Sequence, residues 1–549
     1  MNLLNSIKTI LFFMVAAVTS FTYAQNGGQP KLVVGVVVDQ MRYEYLYRFQ
    51  DNFTEDGFKR LMREGFNAKN THYNYVPTAT CLGHATIYTG TTPSNHGIVS
   101  NSWYSRDLKR KMYCVEDSTV FLINHSGMER STANKHFSRS PKNIRTTTIT
   151  DELKLFTNGR SKVIGLSIKD RSAISPAGHL ADAAYWYNGK TGDFVTSSYY
   201  LEELPDWLKV FNASKKADSL LDLSWKPLLP IGHYRNSTVD DDGFEKVFKG
   251  KEKSVFPYHL KELRESNGNY GLIAETPFGN TILTQLIKAA IQGEKLGQGL
   301  ETDFLAVSYS STDYVGHNFG IRSKEMEDTY VRMDREIGCL LKTLDQHVGK
   351  GNYILFLTAD HGASDHPTFL KSKQIPGEFY STKQLNKVLN DHLKAVLGDD
   401  DYVAFFDSTQ IYFNETSVQK NRVIKEAVVF LNSVDGIKEV FAPSILDWNL
   451  GNSGMGEFIK NSFSPEESGD IIYHTYPGWM NERAFGTTHG TSYTSDTHVP
   501  LLWYGWGIPN GESVKQTRIT QIAPTLSFLL NIPLPNSSDG QAIEELFSR

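Results

Sequence analysis

Cysteine is scarce in this chain: Cys81, Cys114 and Cys339 are the only three in 549 residues. An odd count without C-x-x-C spacing excludes a disulfide framework as what holds the fold, and Cys81 reads as a packing residue. An excess of positive charge is missing too. The net charge of -5 gives no electrostatic footprint for nucleic acid or an anionic membrane, so an anionic ligand must be drawn by positive charge confined to a pocket. After the first residues no apolar run approaches membrane-spanning length. There is no internal repeat and no low-complexity tract. What remains is 40% hydrophobic, 12% aromatic and 21% charged, the make-up of a well-buried globular protein.

The N-terminal stretch combines Lys8, an apolar run from Ile10 to Val18 and small residues at Thr22 and Ala24. That pattern predicts a cleaved secretory signal over residues 1–24 and a mature secreted or periplasmic chain from about Gln25, without stable membrane insertion. No cysteine follows the cleavage site to take a lipid.

Leu32 to Val38 is nearly continuous in β-branched residues, as in a parallel strand covered on both faces. Similar runs recur at Val163 to Ser167, Phe304 to Tyr309, Tyr353 to Thr358 and Pro500 to Tyr504. Between them, apolar residues at helical spacing follow Asn280 or Thr281, and again Ser323. The alternation predicts an α/β fold, a mostly parallel central sheet sandwiched by helices. Two stretches break it: about 172–270, rich in aromatics and turn residues, and about 370–475. Both are expected as insertions in one catalytic domain spanning 25–549. The second is read as a small α+β unit with helices at Thr382 to Leu397 and Val418 to Asn432, and strands at Tyr402 to Phe406 and Ser408 to Phe413.

Asp39, Asp313 and Asp360 each sit at or just after the end of an apolar strand. Ligands of open parallel sheets gather at those ends, so three sequence-distant carboxylates are expected to meet. Asp313 and His317 are four positions apart, close enough for one helical turn to aim both at a single ion. Asp360 and His361 are adjacent, and Gly362 after them leaves the backbone free to turn. With a late His489, the donors are nitrogen and oxygen only, which favours zinc over manganese or cobalt, and disfavours calcium or magnesium. The remaining histidines are read as structural or surface residues.

Thr80, in Pro77-Thr78-Ala79-Thr80-Cys81-Leu82-Gly83-His84, lies where a turn enters a helix, a ready anion site. A threonine hydroxyl needs a metal to act as a nucleophile; otherwise Thr78 or Thr80 would simply cap the helix. Lys169 and Arg171, in Ser167-Ile168-Lys169-Asp170-Arg171, lie at another strand end. Together these residues read as a two-metal phosphoryl-transfer site.

The order Asp39, T-x-x-G-H from Thr80, Asp313-x-x-x-His317, Asp360-His361-Gly362 and His489 resembles the alkaline phosphatase superfamily, in its type I phosphodiesterase and nucleotide pyrophosphatase branch, and within it the secreted PafA-type phosphatases. The resemblance implies two Zn²⁺ per chain, one held by Asp39, Asp360, His361 and the Thr80 oxygen, the other by Asp313, His317 and His489. It implies that Asn101 contacts phosphate and that Lys169 and Arg171 hold the extra charge of a phosphate monoester, with small-molecule monoesters as substrates and a monomer as the working form. Leu82 departs from the proline common before the Gly-His. The alternative is a phosphodiesterase or nucleotide pyrophosphatase on the same metals. A sulfatase would need a C-x-P-x-R segment, which none of the three cysteines begins, and a non-catalytic metal-binding scaffold would show no turnover.

Overall fold

The computed structural model describes residues 28–129, 139–407, 409–414, 420–443, 445 and 454–547. The expected leader over 1–24 lies outside the described residues.

A sheet of twelve strands forms the frame. Leu32–Val38, buried along its whole length, lies at its middle between Asp303–Tyr309 and Tyr353–Thr358, parallel to both. Val163–Ser167 and then Ala183–Asn188 continue the parallel order on one side. Burial on both faces explains why these strands read as unbroken apolar runs rather than alternating ones. The outer strands are mixed in direction. Leu501–Gly505 pairs antiparallel with Tyr353–Thr358, so the apolar run there belongs to an antiparallel margin of the sheet.

Helices cover both faces, as an α/β sandwich requires. Lys324–Leu344 starts from a Ser323 cap whose side chain accepts the Met326 amide, where the sequence places it. Phe278–Gly293 starts two residues ahead of the expected Asn280 cap: Pro277 precedes its first turn, and the Asn280 side chain instead accepts the Ser311 amide at 3.2 Å.

Within the 172–270 stretch, Ala183–Asn188 and Asp193–Ser197 join the main sheet. In the 370–475 stretch, Thr382–Leu397 and Lys420–Leu431 pack on a separate four-stranded sheet ordered Val403–Phe406, Gln410–Phe413, Ile471–Thr475, Ile437–Phe441. Leu389, Leu393, Ile424, Ala427 and Leu431 form part of its own core. The expected starts at Val418 and Ser408 lie outside the described residues.

Candidate active site

The parallel strands bring their carboxyl ends to one crevice. Asp39 follows Leu32–Val38, Asp313 lies in the first turn of Ser311–Phe319, and Asp360 and His361 follow Tyr353–Thr358. Asp39, Asp360 and His361 are wholly buried. Two overlapping groups have ligand atoms within 4.8 Å of one another: Asp313 with His317 and His489, and Asp39 with Asp313 and His361. Asp313 therefore stands between the two expected ligand sets. Asp360 Oδ2 lies 3.5 Å and Asp39 Oδ1 3.6 Å from His361 Nε2.

All three imidazoles are oriented by the same device. His361 Nδ1 meets the Gly362 carbonyl at 2.9 Å, His317 Nδ1 the Thr487 carbonyl at 2.8 Å, and His489 Nδ1 the Thr78 carbonyl at 2.7 Å. A carbonyl only accepts, so Nδ1 carries the proton and the Nε2 lone pair faces the centre, as a metal ligand needs. Burial lowers the pKa of His361 to about 3, so the ring stays neutral. Arg483 donates to the His317 and Phe485 carbonyls, both at 2.7 Å, and braces the His317 segment.

Asp39 Oδ1, Asp360 Oδ2 and His361 Nε2 are buried with no hydrogen-bond partner. Buried acceptors are ordinarily satisfied, and three orphans converging among carboxylates and imidazoles fit a cation. Burial, then the nearby Asp39 charge, pushes the Asp360 carboxyl well above the usual carboxylate range. At Asp313, burial acts the same way, but His317 and Lys169 outweigh it and hold the group well below.

Lys169 is buried with its ammonium 2.7 Å from Asp39 Oδ2 and 2.5 Å from Asp313 Oδ2. Burial would lower its pKa, but Asp313 and then Asp39 raise it, so it stays charged. The resemblance implies a phosphate contact for Lys169; here its ammonium lies on two carboxylates of the centre. Arg171 Nη2 lies 3.4 Å from the Thr80 hydroxyl, and Arg171 Nη1 donates to the Tyr113 hydroxyl at 3.1 Å. Tyr113 in turn donates to Asp170 Oδ1 at 2.6 Å, and Arg139 pairs with Asp170 Oδ2 at 2.7 Å.

Thr80 opens the helix Thr80–Thr89, whose N-cap is Ala79; neither threonine caps it through its side chain. Thr78 donates to the Thr491 carbonyl at 3.0 Å instead. Asn101 Oδ1 accepts the Cys81 amide at 2.8 Å, which takes one amide of the helix start and leaves Nδ2 as the end it can offer a ligand. Gly83 lets the helix close on Asp360, since a Cβ there would lie 2.7 Å from the Asp360 Cβ. Gly362 is also a close approach, to the Ser495 carbonyl, rather than a position of special backbone freedom.

Several site residues escaped the sequence reading. Gln40, buried and at φ +63°, donates from Nε2 to Asp313 Oδ1 at 2.6 Å and from its backbone to Asp360 Oδ1 at 3.2 Å, bridging two carboxylates. Its place beside Asp39 was the only available signal. His84, the last residue of T-x-x-G-H, bonds the Thr80 carbonyl at 2.8 Å and Ser308 at 2.9 Å. Tyr113 carries no motif at all. Cys81, read as packing, forms a disulfide with Cys114, tying the helix start to the chain next to Tyr113. A separation of 33 residues without a pattern hides such a pair from the sequence.

The type I phosphodiesterase / nucleotide pyrophosphatase family model matches residues 33–498. The chain belongs to that family. Among curated family relatives, a calcium-transporting ATPase of Myroides odoratus is 43% identical, covering 99% of both chains. Alkaline phosphatase PhoV of Synechococcus elongatus is 42% identical over 97% of this chain and 95% of that one. Alkaline phosphatase PafA of Elizabethkingia meningoseptica is 41% identical over 95% of each. A crystal structure of PafA superposes with a TM-score of 0.90 at 39% identity, covering 95% of this chain and 100% of that one. Within the type I phosphodiesterase family, the chain falls in the PafA-like alkaline phosphatase branch.

Proposed function

We propose that the chain is a secreted, metal-dependent alkaline phosphatase that hydrolyses phosphate monoesters to an alcohol and inorganic phosphate. The observation that carries this reading is the Arg171 guanidinium 3.4 Å from the Thr80 hydroxyl, at the rim of the Asp/His centre. Similarity to named alkaline phosphatases over nearly the whole chain supports it, and the leader expected over 1–24 supports export.

Asp39, Asp360, His361 and the Thr80 oxygen would hold one zinc, and Asp313, His317 and His489 another. Two such ions supply Lewis-acid charge that lowers the pKa of a bound hydroxyl or water. Thr80 Oγ1 attacks phosphorus in line, the P–O bond to the alcohol breaks, and a phosphothreonine forms. Water then attacks phosphorus from the vacated side, releasing phosphate and restoring Thr80. Asn101 Nδ2 and Arg171 hold non-bridging oxygens. A monoester dianion has one more charged oxygen than a diester, and a fixed guanidinium is suited to it. Lys169 keeps positive charge between Asp39 and Asp313 and adds to the field that favours the dianion.

The family description also names phosphodiesterases, and one relative bears the name of an ATPase. The terminal phosphoryl of ATP presents the same kind of dianionic group as a monoester, so that name agrees with this chemistry. Transport is a separate matter: among the described residues no helix is long and apolar enough to cross a membrane. The deciding experiment compares kcat/KM for a phenyl monoester and a phenyl diester alongside metal analysis of the purified chain. Preference for the monoester with two zinc per chain is expected, whereas preference for the diester would overturn the assignment.

A further inference from the structure

Outside the Asp/His centre, four acids from two segments converge. Asp240, Asp242 and Glu245 come from the loop Asp240-Asp241-Asp242-Gly243-Phe244-Glu245, and Glu325 from the first turn of Lys324–Leu344. Glu325 is fully buried and Glu245 is 7% exposed. Both Glu245 oxygens, Glu325 Oε2, Asp240 Oδ1 and Asp242 Oδ2 are shut from solvent with no hydrogen-bond partner. They share one basin: Glu245 faces Glu325, Asp242 and Asp240, and Glu325 faces Asp240 as well.

Three of the cations around the basin are otherwise engaged, and a fourth, Lys373, lies near Asp242. Lys251 donates to the Pro257 carbonyl at 2.9 Å and lies 4.7 Å above the Tyr258 ring. Lys324 donates to the Tyr234 carbonyl at 3.0 Å, and Lys253 pairs with the neighbouring Asp241 at 3.2 Å. Among the described residues, no Lys or Arg nitrogen comes within 4.0 Å of these four carboxylates. Unpaired carboxylates in a buried basin are costly, and a bound cation is one of the few ways to hold them.

We propose that Asp240, Asp242, Glu245 and Glu325 form a second, structural cation site, for a hard divalent ion of the calcium class. An all-oxygen, carboxylate-rich donor set suits calcium; zinc favours nitrogen and sulfur, and magnesium demands a tighter octahedron. No three of these oxygens lie within 4.8 Å of one another, unlike those of the Asp/His centre. Four like charges stand apart, so the loop must close on the ion. Burial, then Glu325, pushes the Glu245 carboxyl up to about 9, in keeping with charge that lacks a partner.

Closure would bear on the Asp/His centre. The Phe244 carbonyl accepts the Gly486 amide at 2.8 Å, and the Lys246 amide donates to the Asn318 carbonyl at 2.8 Å. Asn318 adjoins His317, and Gly486 adjoins Thr487, whose carbonyl holds the His317 ring. The ion thus braces one metal ligand from behind.

The test is terbium luminescence on the zinc-loaded full chain, with zinc occupying the Asp/His centre. The Tyr258 hydroxyl donates to Glu325 at 2.6 Å, and the Trp225 ring lies 5.2 Å from the Tyr258 ring, so both are placed to sensitise an ion there. We expect saturable emission, displaced by calcium in about the 0.1–1 mM range typical of extracellular sites, resisted by magnesium, and weakened at least tenfold in terbium affinity by Glu245→Gln. Asp242→Asn, at a part-exposed position, is expected to weaken binding in the same direction and serves if Glu245→Gln fails to fold. Emission that is absent, or unchanged in the folded variants, would overturn the site. So would a calcium titration that leaves the melting temperature of the zinc-loaded wild type unmoved. These readouts do not involve turnover, so they stand or fall apart from the phosphatase assignment.

Discussion

At the residue scale, three side chains decide what the crevice can do, and each has a separable signature. Thr80→Ala removes the hydroxyl 3.4 Å from Arg171 Nη2 and is expected to cut monoester kcat by about 10³-fold or more while metal content persists. Retained turnover would rule out a phosphothreonine route. Arg171→Ala should lower monoester kcat/KM by about 10²- to 10³-fold, the scale of losing one strong charge-stabilising donor, and diester kcat/KM by far less. Equal losses on both substrates would mean that the guanidinium does not read the extra charge. Gln40 bonds two carboxylates of the Asp/His centre, Asp313 and Asp360. Because its amide bonds Asp313 Oδ1 at 2.6 Å, Gln40→Leu is expected to weaken zinc retention about 10- to 100-fold in a chelator titration. That Asp39, Asp313, His317, His361 and His489 gather, and that Thr80 opens a helix, was legible from spacing, since strand ends and a helix start have patterns. Gln40 and Tyr113 were not, because a residue that holds another in place has no required spacing from it.

Among elements, the helix Thr80–Thr89 and the hairpin of Ser102–Ser105 and Arg110–Tyr113 act together. The helix packs Gly83 against the Asp360 backbone, and the hairpin region carries Asn101 and Tyr113. The Cys81–Cys114 disulfide ties the two. Closing a loop of 33 residues restricts the unfolded chain by about 3–4 kcal/mol. Cys114→Ser is therefore expected to lower unfolding free energy by up to that amount in a denaturant titration, and to erode the monoester preference by loosening Tyr113 and Arg171. An unchanged denaturation midpoint would show that the link contributes nothing. Gly83→Ala drives a methyl into Asp360 and should cost about 1–3 kcal/mol as an overpacked contact, with activity falling alongside. The scarcity of cysteine argues against a framework of disulfides, while the reading of Cys81 as packing misses its bridge to Cys114, because count and spacing report networks and not a single bridge.

On the scale of the whole molecule, buried neutral histidines couple the fold to acid. Burial lowers His96 to about 3 and His72, His366 and His474 to about 4. None of these four is a candidate metal ligand. Above pH 6.5, folded and unfolded forms are both neutral at these rings. Below it the unfolded chain binds protons that the folded chain refuses, so stability is full above about 6.5 and is lost as pH falls toward about 4. Thermal melts of the zinc-loaded chain should fall steadily across that window; a flat profile would contradict the buried, neutral assignment. The unit of residues within 370–475 also reaches the site, since Gln410 donates to the Val99 carbonyl at 3.3 Å and Tyr104 stacks on Phe405 beside Asn101's hairpin.

From its sequence alone, the chain was legible as an α/β sandwich with acidic and imidazole side chains at strand ends. Strand burial, helix periodicity and residue type are local properties, and they are written in local patterns. Only the tertiary structure decided that Leu501–Gly505 runs antiparallel, that Lys169 lies on Asp39 and Asp313, that Cys81 finds Cys114, and that Glu245 is buried in the field of Glu325. Each of these joins segments far apart in the chain, and the free energy of such a contact depends on burial and neighbours that exist only once the chain has folded.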